Sequence, residues 1–219
     1  MKKNYSKSLL GKPVTVTPVT HIKTPEQLIR ECMPAFGAAY VRRIYCILDQ
    51  AIGKGVPLII TVSGPVTVSD QHRAWLIPLI EAGWIAYITI TDAACYHDGH
   101  DSLKKNDQRP IREVPIEGHD IQLREQGIIR VTNTGFHESC LYDQDSFFST
   151  LLLIPEFQRK MTGTEFRFLV GKYYDAQERK HGVQPGLLST CFRYGVPVVR
   201  RCAWRRFGVL KFGEALGNG

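Results

Sequence analysis

The sequence lacks several features that define whole classes of protein. No run approaches the roughly 18–20 apolar residues that a transmembrane helix needs, and no long apolar segment follows the basic start MKKNYSKSLLGKPVTV, which argues against a secretory signal. The six cysteines form no Cys-x-x-Cys pair, which argues against a disulfide framework or a zinc site. We therefore expect a cytoplasmic protein with reduced thiols and no membrane partner.

Acidic residues are scarce near the C-terminus, and this makes the charge of the chain uneven. The formal net charge is +7 over 219 residues, and a basic chain raises the hypothesis of nucleic-acid binding. From Arg200 onward, five basic residues accompany the single acid Glu214, so this tail contributes +4 of the +7. Because the rest of the chain carries only a small excess of positive charge, we predict no nucleic-acid partner.

Helix and strand patterns alternate along the chain. Thr24 to Gln27 have the form of a helix N-terminus, with Thr24 as N-cap and Pro25 at the first helical position. The β-branched, apolar run 56–62 predicts a parallel strand buried on both faces. Pro78 lies within the predicted helix 70–82 and is expected to kink it. The predicted helices are 38–52, 70–82, 143–153, 164–180 and 185–194, and the predicted strands are 56–62, 84–90, 128–131 and 196–199.

This order of elements predicts an α/β fold. A strand, a helix and a second strand joined by short connections form a βαβ unit. We expect a Rossmann-like, doubly wound and mostly parallel sheet with helices on both faces. The predicted α/β domain covers residues 1–199, and the sheet is expected to be incomplete at the C-terminus.

The ends of two predicted strands carry candidate binding residues, because open α/β sheets bind ligands beyond the carboxyl ends of their strands. The first segment, 63–69, combines small hydroxyl residues with a glycine and could leave backbone N–H groups free for a phosphate. An ordinary turn with Ser69 or Asp70 as the helix N-cap is the alternative. The second segment, 91–101, is interpreted as a polar loop that lines a ligand cleft.

The second segment also contains residues that are typical of a metal site and of a catalytic cysteine. Its two histidines and two aspartates could contact a metal ion, but no distant third ligand is evident, so no metal site is predicted. Cys95 could be a nucleophile paired with His97, whereas a buried structural thiol is the favoured interpretation.

Three segments together resemble the deoxyhypusine synthase family, including its bacterial deoxyhypusine-synthase-like branch. They are LIPLIEAGWIAYITITDAACYHD (76–98), HDIQLREQGIIRV (119–131) and GKYYDAQERKHGVQPGLLSTCFRYGVPVV (171–199). The resemblance extends from about residue 9 to residue 199, and it rests on the order and spacing of the segments rather than on one motif.

The resemblance implies a Rossmann-like fold assembled as a homotetramer. In that family NAD oxidises spermidine, a catalytic lysine accepts the aminobutyl group as an imine, and the group passes to a protein lysine or a small amine such as putrescine. By position, the first NAD-contacting loop corresponds to Pro65, Val66, Thr67, Val68 and Ser69, and the second to Thr91, Asp92 and Ala93. Tyr96 and His97 correspond to residues near the polyamine.

Two departures from the family pattern bear on the cofactor. Asp92 stands where the family has glycine, and Ala94 stands where it has asparagine. An acid beside the pyrophosphate of NAD would be repelled by it. We therefore expect NAD binding to be weak or absent.

The tail RRCAWRRFGVLKFGEALGNG (200–219) also departs from the family. After Val199 the family pattern continues with proline and then Asp-Gly-Ser, and codons can be chosen for the tail that give Asp-Gly-Ser one base later. We hypothesise a single-base frameshift near Arg200, so that the chain is truncated before the catalytic lysine segment. No catalytic residue is then predicted, and the alternative function is an inactive pseudoenzyme or truncated gene product.

Overall fold

The computed structural model describes residues 13–63, 65–103 and 110–200. The chain divides into two compact units, Met1–Val56 and Pro57–Gly219. The hypothesis of a frameshifted tail lies outside the described residues, except at Arg200, and it stays a hypothesis.

The described part of the first unit contains a short 3-10 helix (Val19–His21) and two α-helices, α1 (Pro25–Cys32) and α2 (Phe36–Gly53). The predicted N-cap is present, because the Thr24 hydroxyl oxygen accepts the backbone N–H of Gln27 at 3.2 Å. Arg30 joins the two helices: its guanidinium donates to Glu26 within α1 at 2.8 Å and to Asp49 on α2 at 2.9 Å. The predicted helix at 38–52 is thus confirmed, with a start two residues earlier.

The second unit is a mixture of helices and strands. In chain order it contains β1 (Leu58–Val62), a π-helical turn (His72–Leu76), α3 (Ile77–Glu81), β2 (Ile85–Ile90), α4 (Asp92–Ser102), β3 (Arg112–Glu113), α5 (Asp120–Glu125), β4 (Ile128–Val131), β5 (Thr134–His137), α6 (Ser139–Leu151), α7 (Gly163–His181), α8 (Leu187–Tyr194) and β6 (Val198–Arg200). No helix in the described part of the chain is long and apolar enough to cross a membrane.

Within residues 13–63, 65–103 and 110–200, the central sheet has three parallel strands in the order β1-β2-β6. Val62 pairs with Ile90, and Ile90 pairs with Arg200, so the carboxyl ends of all three strands meet at one edge. The sheet confirms an α/β fold. The prediction that β1 is buried on both faces is wrong, because the strand alternates and Ile59 is 56% exposed.

A second, antiparallel sheet has the order β3-β5-β4. Val131 pairs with Thr134, which leaves a two-residue hairpin loop of Thr132 and Asn133. Only β4 was predicted here, because β3 is two residues long and β5 contains Gly135, and both features weaken a strand pattern.

The core lies between the parallel sheet and the helices of the second unit. Its fully buried members include Ile88 and Ile90 on β2 and Leu187 on α8. Gly195 ends α8 at φ 66°, a left-handed conformation that favours glycine, and this confirms the predicted helix stop.

Candidate functional site

The two segments predicted to contact a cofactor meet at the carboxyl edge of the parallel sheet. The Thr67 hydroxyl, which is buried, donates a hydrogen bond of 2.9 Å to the carbonyl oxygen of Ala94. Val66 and Val68 are also buried, whereas Pro65 and Ser69 are exposed. The first segment is therefore fixed to the second by Thr67, and its accessible side chains are those at its two ends.

The second segment is a helix, and the prediction of a polar loop at 91–101 is wrong. Thr91 is the N-cap of α4, but its side chain caps no backbone N–H. The Thr91 hydroxyl oxygen is buried and has no hydrogen-bond partner within the described part of the chain. The helix is polar on most of its surface, so its sequence lacks the apolar periodicity that predicts a helix. It forms because distant elements supply partners for its side chains.

Asp92 lies in the first turn of α4 and contacts two arginines. One carboxylate oxygen is 2.8 Å from Nη2 of Arg167 on α7, and the other is 2.9 Å from Nε of Arg200 on β6. The two guanidinium groups and one carboxylate together carry a net charge of about +1. The acid that departs from the family pattern is thus neutralised by its neighbours, which removes the electrostatic objection to a phosphate at this edge.

Tyr96 and His97 lie one turn further along α4. The Tyr96 hydroxyl donates a hydrogen bond of 2.8 Å to the carboxylate of Asp145 on α6, an exposed residue. His97 Nδ1 lies 2.8 Å from Nε2 of the buried His100. Burial lowers the pKa of His97, so its ring is neutral near pH 7. Burial and the hydrogen bond to Asp145 raise the pKa of Tyr96, so its hydroxyl keeps its proton.

Asp98 is a structural residue that the sequence analysis missed. Its two carboxylate oxygens accept the backbone N–H groups of Leu187 and Leu188 at 2.7 and 2.8 Å, at the start of α8. Burial raises its pKa to about 7, although the two backbone N–H groups oppose that rise. One signal was available: Gly186 occupies the N-cap of α8 and has no side chain to cap it, so the cap had to come from elsewhere in the fold.

A second buried carboxylate, that of Glu178 on α7, completes this cap. It accepts the backbone N–H of Gly186 at 2.9 Å and the hydroxyl of Ser102 at 2.7 Å. Burial raises the pKa of Glu178 as well. Two carboxylates from α4 and α7 therefore hold the N-terminus of α8 in place.

His72 lies beside the same cluster. Its Nε2 is 3.8 Å from the carboxylate of Asp98, and its Nδ1 is 3.3 Å from the carbonyl oxygen of Val66. Burial lowers the pKa of His72 to about 4. The imidazole is therefore neutral at pH 7. It contacts the first segment at Val66 and lies beside the buried carboxylate of Asp98 without a hydrogen bond to it.

Cys95 has the properties of a structural thiol. Burial raises its pKa to about 12, so the thiolate that a nucleophile requires is scarce at pH 7. Among residues 13–63, 65–103 and 110–200, no group of three or more His, Cys, Asp or Glu side chains could hold a metal ion.

Comparison of the sequence with known proteins shows the family of the chain. The sequence profile of deoxyhypusine synthase matches residues 28–202, which include both strand ends and all of α4, α7 and α8. The chain belongs to the deoxyhypusine synthase family. Deoxyhypusine synthase-like proteins of Nostoc punctiforme and of a second Nostoc species are each 32% identical to it over 193 residues, which is 86% of this chain.

A third relative, the deoxyhypusine synthase-like protein of Thermosynechococcus vestitus, is 31% identical over 194 residues. The matched segments make up 48%, 49% and 47% of these three proteins. The chain thus spans about half the length of the deoxyhypusine synthase-like relatives that it matches.

Proposed function

We propose that the protein takes part in the NAD-dependent transfer of an aminobutyl group from spermidine to a protein lysine or a small amine. The observation that carries this proposal is the hydrogen bond from Thr67 to Ala94, which joins the two cofactor segments at the carboxyl edge of the sheet. In the same proposal the sheet is the core of a Rossmann-like, doubly wound domain of a cytoplasmic homotetramer, as in the family.

The carboxyl edge fits a dinucleotide in two respects. The buried Thr91 hydroxyl has no hydrogen-bond partner among the described residues, so a ligand that reaches it would supply the missing hydrogen bond, and the first turn of α4 offers backbone N–H groups. Arg167 and Arg200 outweigh the charge of Asp92. NAD, when bound, supplies an acceptor for hydride; Thr91, Pro65 and Ser69 would hold it. The Thr67 hydroxyl is committed to Ala94, which is consistent with weak binding.

The adjacent face of α4 and α6 fits a polyamine. The carboxylate of Asp145 is accessible and is oriented by the Tyr96 hydroxyl, and carboxylates are the usual partners of ammonium groups. The lowered pKa of His97 keeps its ring neutral. A neutral ring does not repel a polycation, whereas an imidazolium would.

The proposed cofactor site is tested by titrating the protein with NAD. We expect a dissociation constant of about 0.1–1 mM, or roughly −5.5 to −4 kcal/mol. Thr91→Val should weaken binding about tenfold, the effect of one hydrogen bond. Thr61→Val is the matched control, because the Thr61 hydroxyl already pairs with Thr89 at 2.7 Å, and it should leave the affinity unchanged. Absence of saturation at about 10 mM NAD, or equal losses in both variants, would contradict the site.

The proposed polyamine site is tested with spermidine in the same way. Asp145→Asn should reduce the affinity about fivefold, because an accessible ion pair contributes on the order of 1 kcal/mol. Asp143→Asn makes the same change of charge two residues away, on another face of α6. If both substitutions weaken binding equally, spermidine is responding to net charge and the site is wrong.

A non-catalytic role is the second candidate. The observation in its favour is that the Asp92 carboxylate already pairs with the two arginines at the cofactor edge. A folded protein that binds neither NAD nor spermidine in these titrations would support a pseudoenzyme or partner subunit over an aminobutyltransferase.

A further inference from the structure

One carboxylate lies between two guanidinium groups at the edge where three parallel strands end. Asp92 comes from the start of α4, Arg167 from α7 and Arg200 from the end of β6. The contacts, 2.8 and 2.9 Å, use different oxygens of the same carboxylate. The three side chains thus converge from elements that are far apart in the sequence.

The three partners differ in their freedom to move. The side chain of Arg167 is only 8% exposed, and its Nη1 also donates to the carbonyl oxygen of Gly163 at 2.8 Å. The side chains of Asp92 and Arg200 are 55% and 43% exposed. Arginine stays charged in proteins, so the buried guanidinium needs an anion. Asp92 can rotate into solvent at little cost, whereas Arg167 cannot.

We propose that Arg167 and Arg200 form a binding site for a phosphate group, and that Asp92 is an internal anion that occupies this site when no phosphate is bound. Guanidinium groups bind phosphate and carboxylate through the same paired N–H donors. A phosphate dianion would satisfy both arginines more fully than one carboxylate does, and it would displace Asp92 toward solvent. The site lies at the edge proposed above for the dinucleotide, so the inference rests on that part of the proposed function. Inorganic phosphate tests it without NAD, spermidine or hydride transfer.

The competing explanation is that the two ion pairs of Asp92 are purely structural. In that case they hold α4 against α7 and β6, and removal of the carboxylate only destabilises the protein. The two explanations differ in one measurable respect. Removal of the Asp92 carboxylate should increase the affinity for phosphate if the site is real, and it should not change that affinity if the ion pairs are only structural.

The test is calorimetric titration of Asp92→Asn with inorganic phosphate at low ionic strength. We expect at least tenfold tighter binding than in the unsubstituted protein, and we expect Arg167→Gln added to Asp92→Asn to abolish the gain. Asp120→Asn is the matched control, because Asp120 pairs with the single arginine Arg130 at 2.7 Å. It should show no gain. Absence of a gain in Asp92→Asn, an equal gain in Asp120→Asn, or a gain that survives loss of Arg167 would overturn the proposal.

A second measurement keeps the proposal testable if Asp92→Asn does not fold. At equal ionic strength, phosphate should raise the melting temperature of the unsubstituted protein more than chloride does, because a ligand of the folded state stabilises it. Arg200→Gln, at a half-exposed side chain, should remove that difference, and persistence of the difference would count against the site. Parallel titrations with pyrophosphate and NAD identify the source of the phosphate group. Binding of inorganic phosphate alone indicates a free-anion site, and a matching gain for NAD indicates a nucleotide phosphate.

Discussion

Replacing Asp98 with alanine is expected to lower the free energy of unfolding by about 3–5 kcal/mol. The carboxylate accepts the N–H groups of Leu187 and Leu188 in a buried position, and each buried donor left without a partner costs about 1–3 kcal/mol. The loss of the helix cap itself accounts for about 1 kcal/mol of this effect. Since domains are stable by only about 5–15 kcal/mol, this loss is a large fraction of the total stability.

Urea unfolding followed by circular dichroism measures this loss. The control is Asp120→Ala, because the Asp120 side chain is 76% exposed and surface changes usually stay within about 0.5 kcal/mol. A loss below about 1 kcal/mol for Asp98→Ala would mean that water replaces the carboxylate and that the cap is dispensable.

Asp98 should also affect how the free energy of unfolding depends on pH. Between pH 4 and 6.5 the unfolded state protonates His72 but the folded state does not, so this histidine makes stability rise with pH. Over nearly the same range the folded state protonates Asp98 but the unfolded state does not, so this acid makes stability fall with pH. The two effects oppose each other, and Glu178, whose pKa is also raised, adds a further fall. Asp98→Asn should therefore make stability rise with pH more steeply than in the unsubstituted protein, by up to about 1.4 kcal/mol per pH unit, and an unchanged profile in the variant would contradict the assignment.

Local signals in the sequence predicted those parts of the fold that depend on local interactions. Thr24 caps α1 through a residue three positions away, and Gly195 ends α8 through its own backbone conformation. The two strands at 58–62 and 85–90 were visible as apolar, β-branched runs. Their parallel pairing follows from the helical crossover between them, which also placed the two cofactor segments at one edge.

Helix α4 could not be predicted in this way, because its stabilising partners are distant in sequence. The backbone groups that Asp98 accepts are 89 and 90 positions away, and Arg167 is 75 positions from Asp92. A segment with several charged and polar residues looks like a loop when its partners are unknown. The same reason explains why Asp92 looked unfavourable for a phosphate: the two arginines that neutralise it are supplied only by the folded sheet edge.

Replacing Gly171 with alanine is expected to be strongly disruptive. A Cβ atom at this position would be in hard contact with the carbonyl oxygen of Leu188 and 2.9 Å from its carbonyl carbon. The obstacle is backbone, so no side-chain rotation relieves it, and α8 would have to move away from α7. We expect a loss of about 3 kcal/mol or more, even though alanine favours a helix over glycine by about 1 kcal/mol.

The movement of α8 should also disturb the cap, because Leu188 donates its N–H to Asp98. Thermal unfolding with near-ultraviolet detection measures both the stability and the packing around the buried Tyr174. The control is Gly37→Ala, which adds the same methyl group to α2, where a Cβ atom would have no neighbour within 4 Å. It should be neutral or slightly stabilising, since alanine is the better helix former. If Gly171→Ala is tolerated as well as Gly37→Ala, the two helices are not held at this separation. The hydrogen bonds from Leu187 and Leu188 to Asp98 would then have to persist while α8 moves away from α7, which their distances of 2.7 and 2.8 Å do not allow.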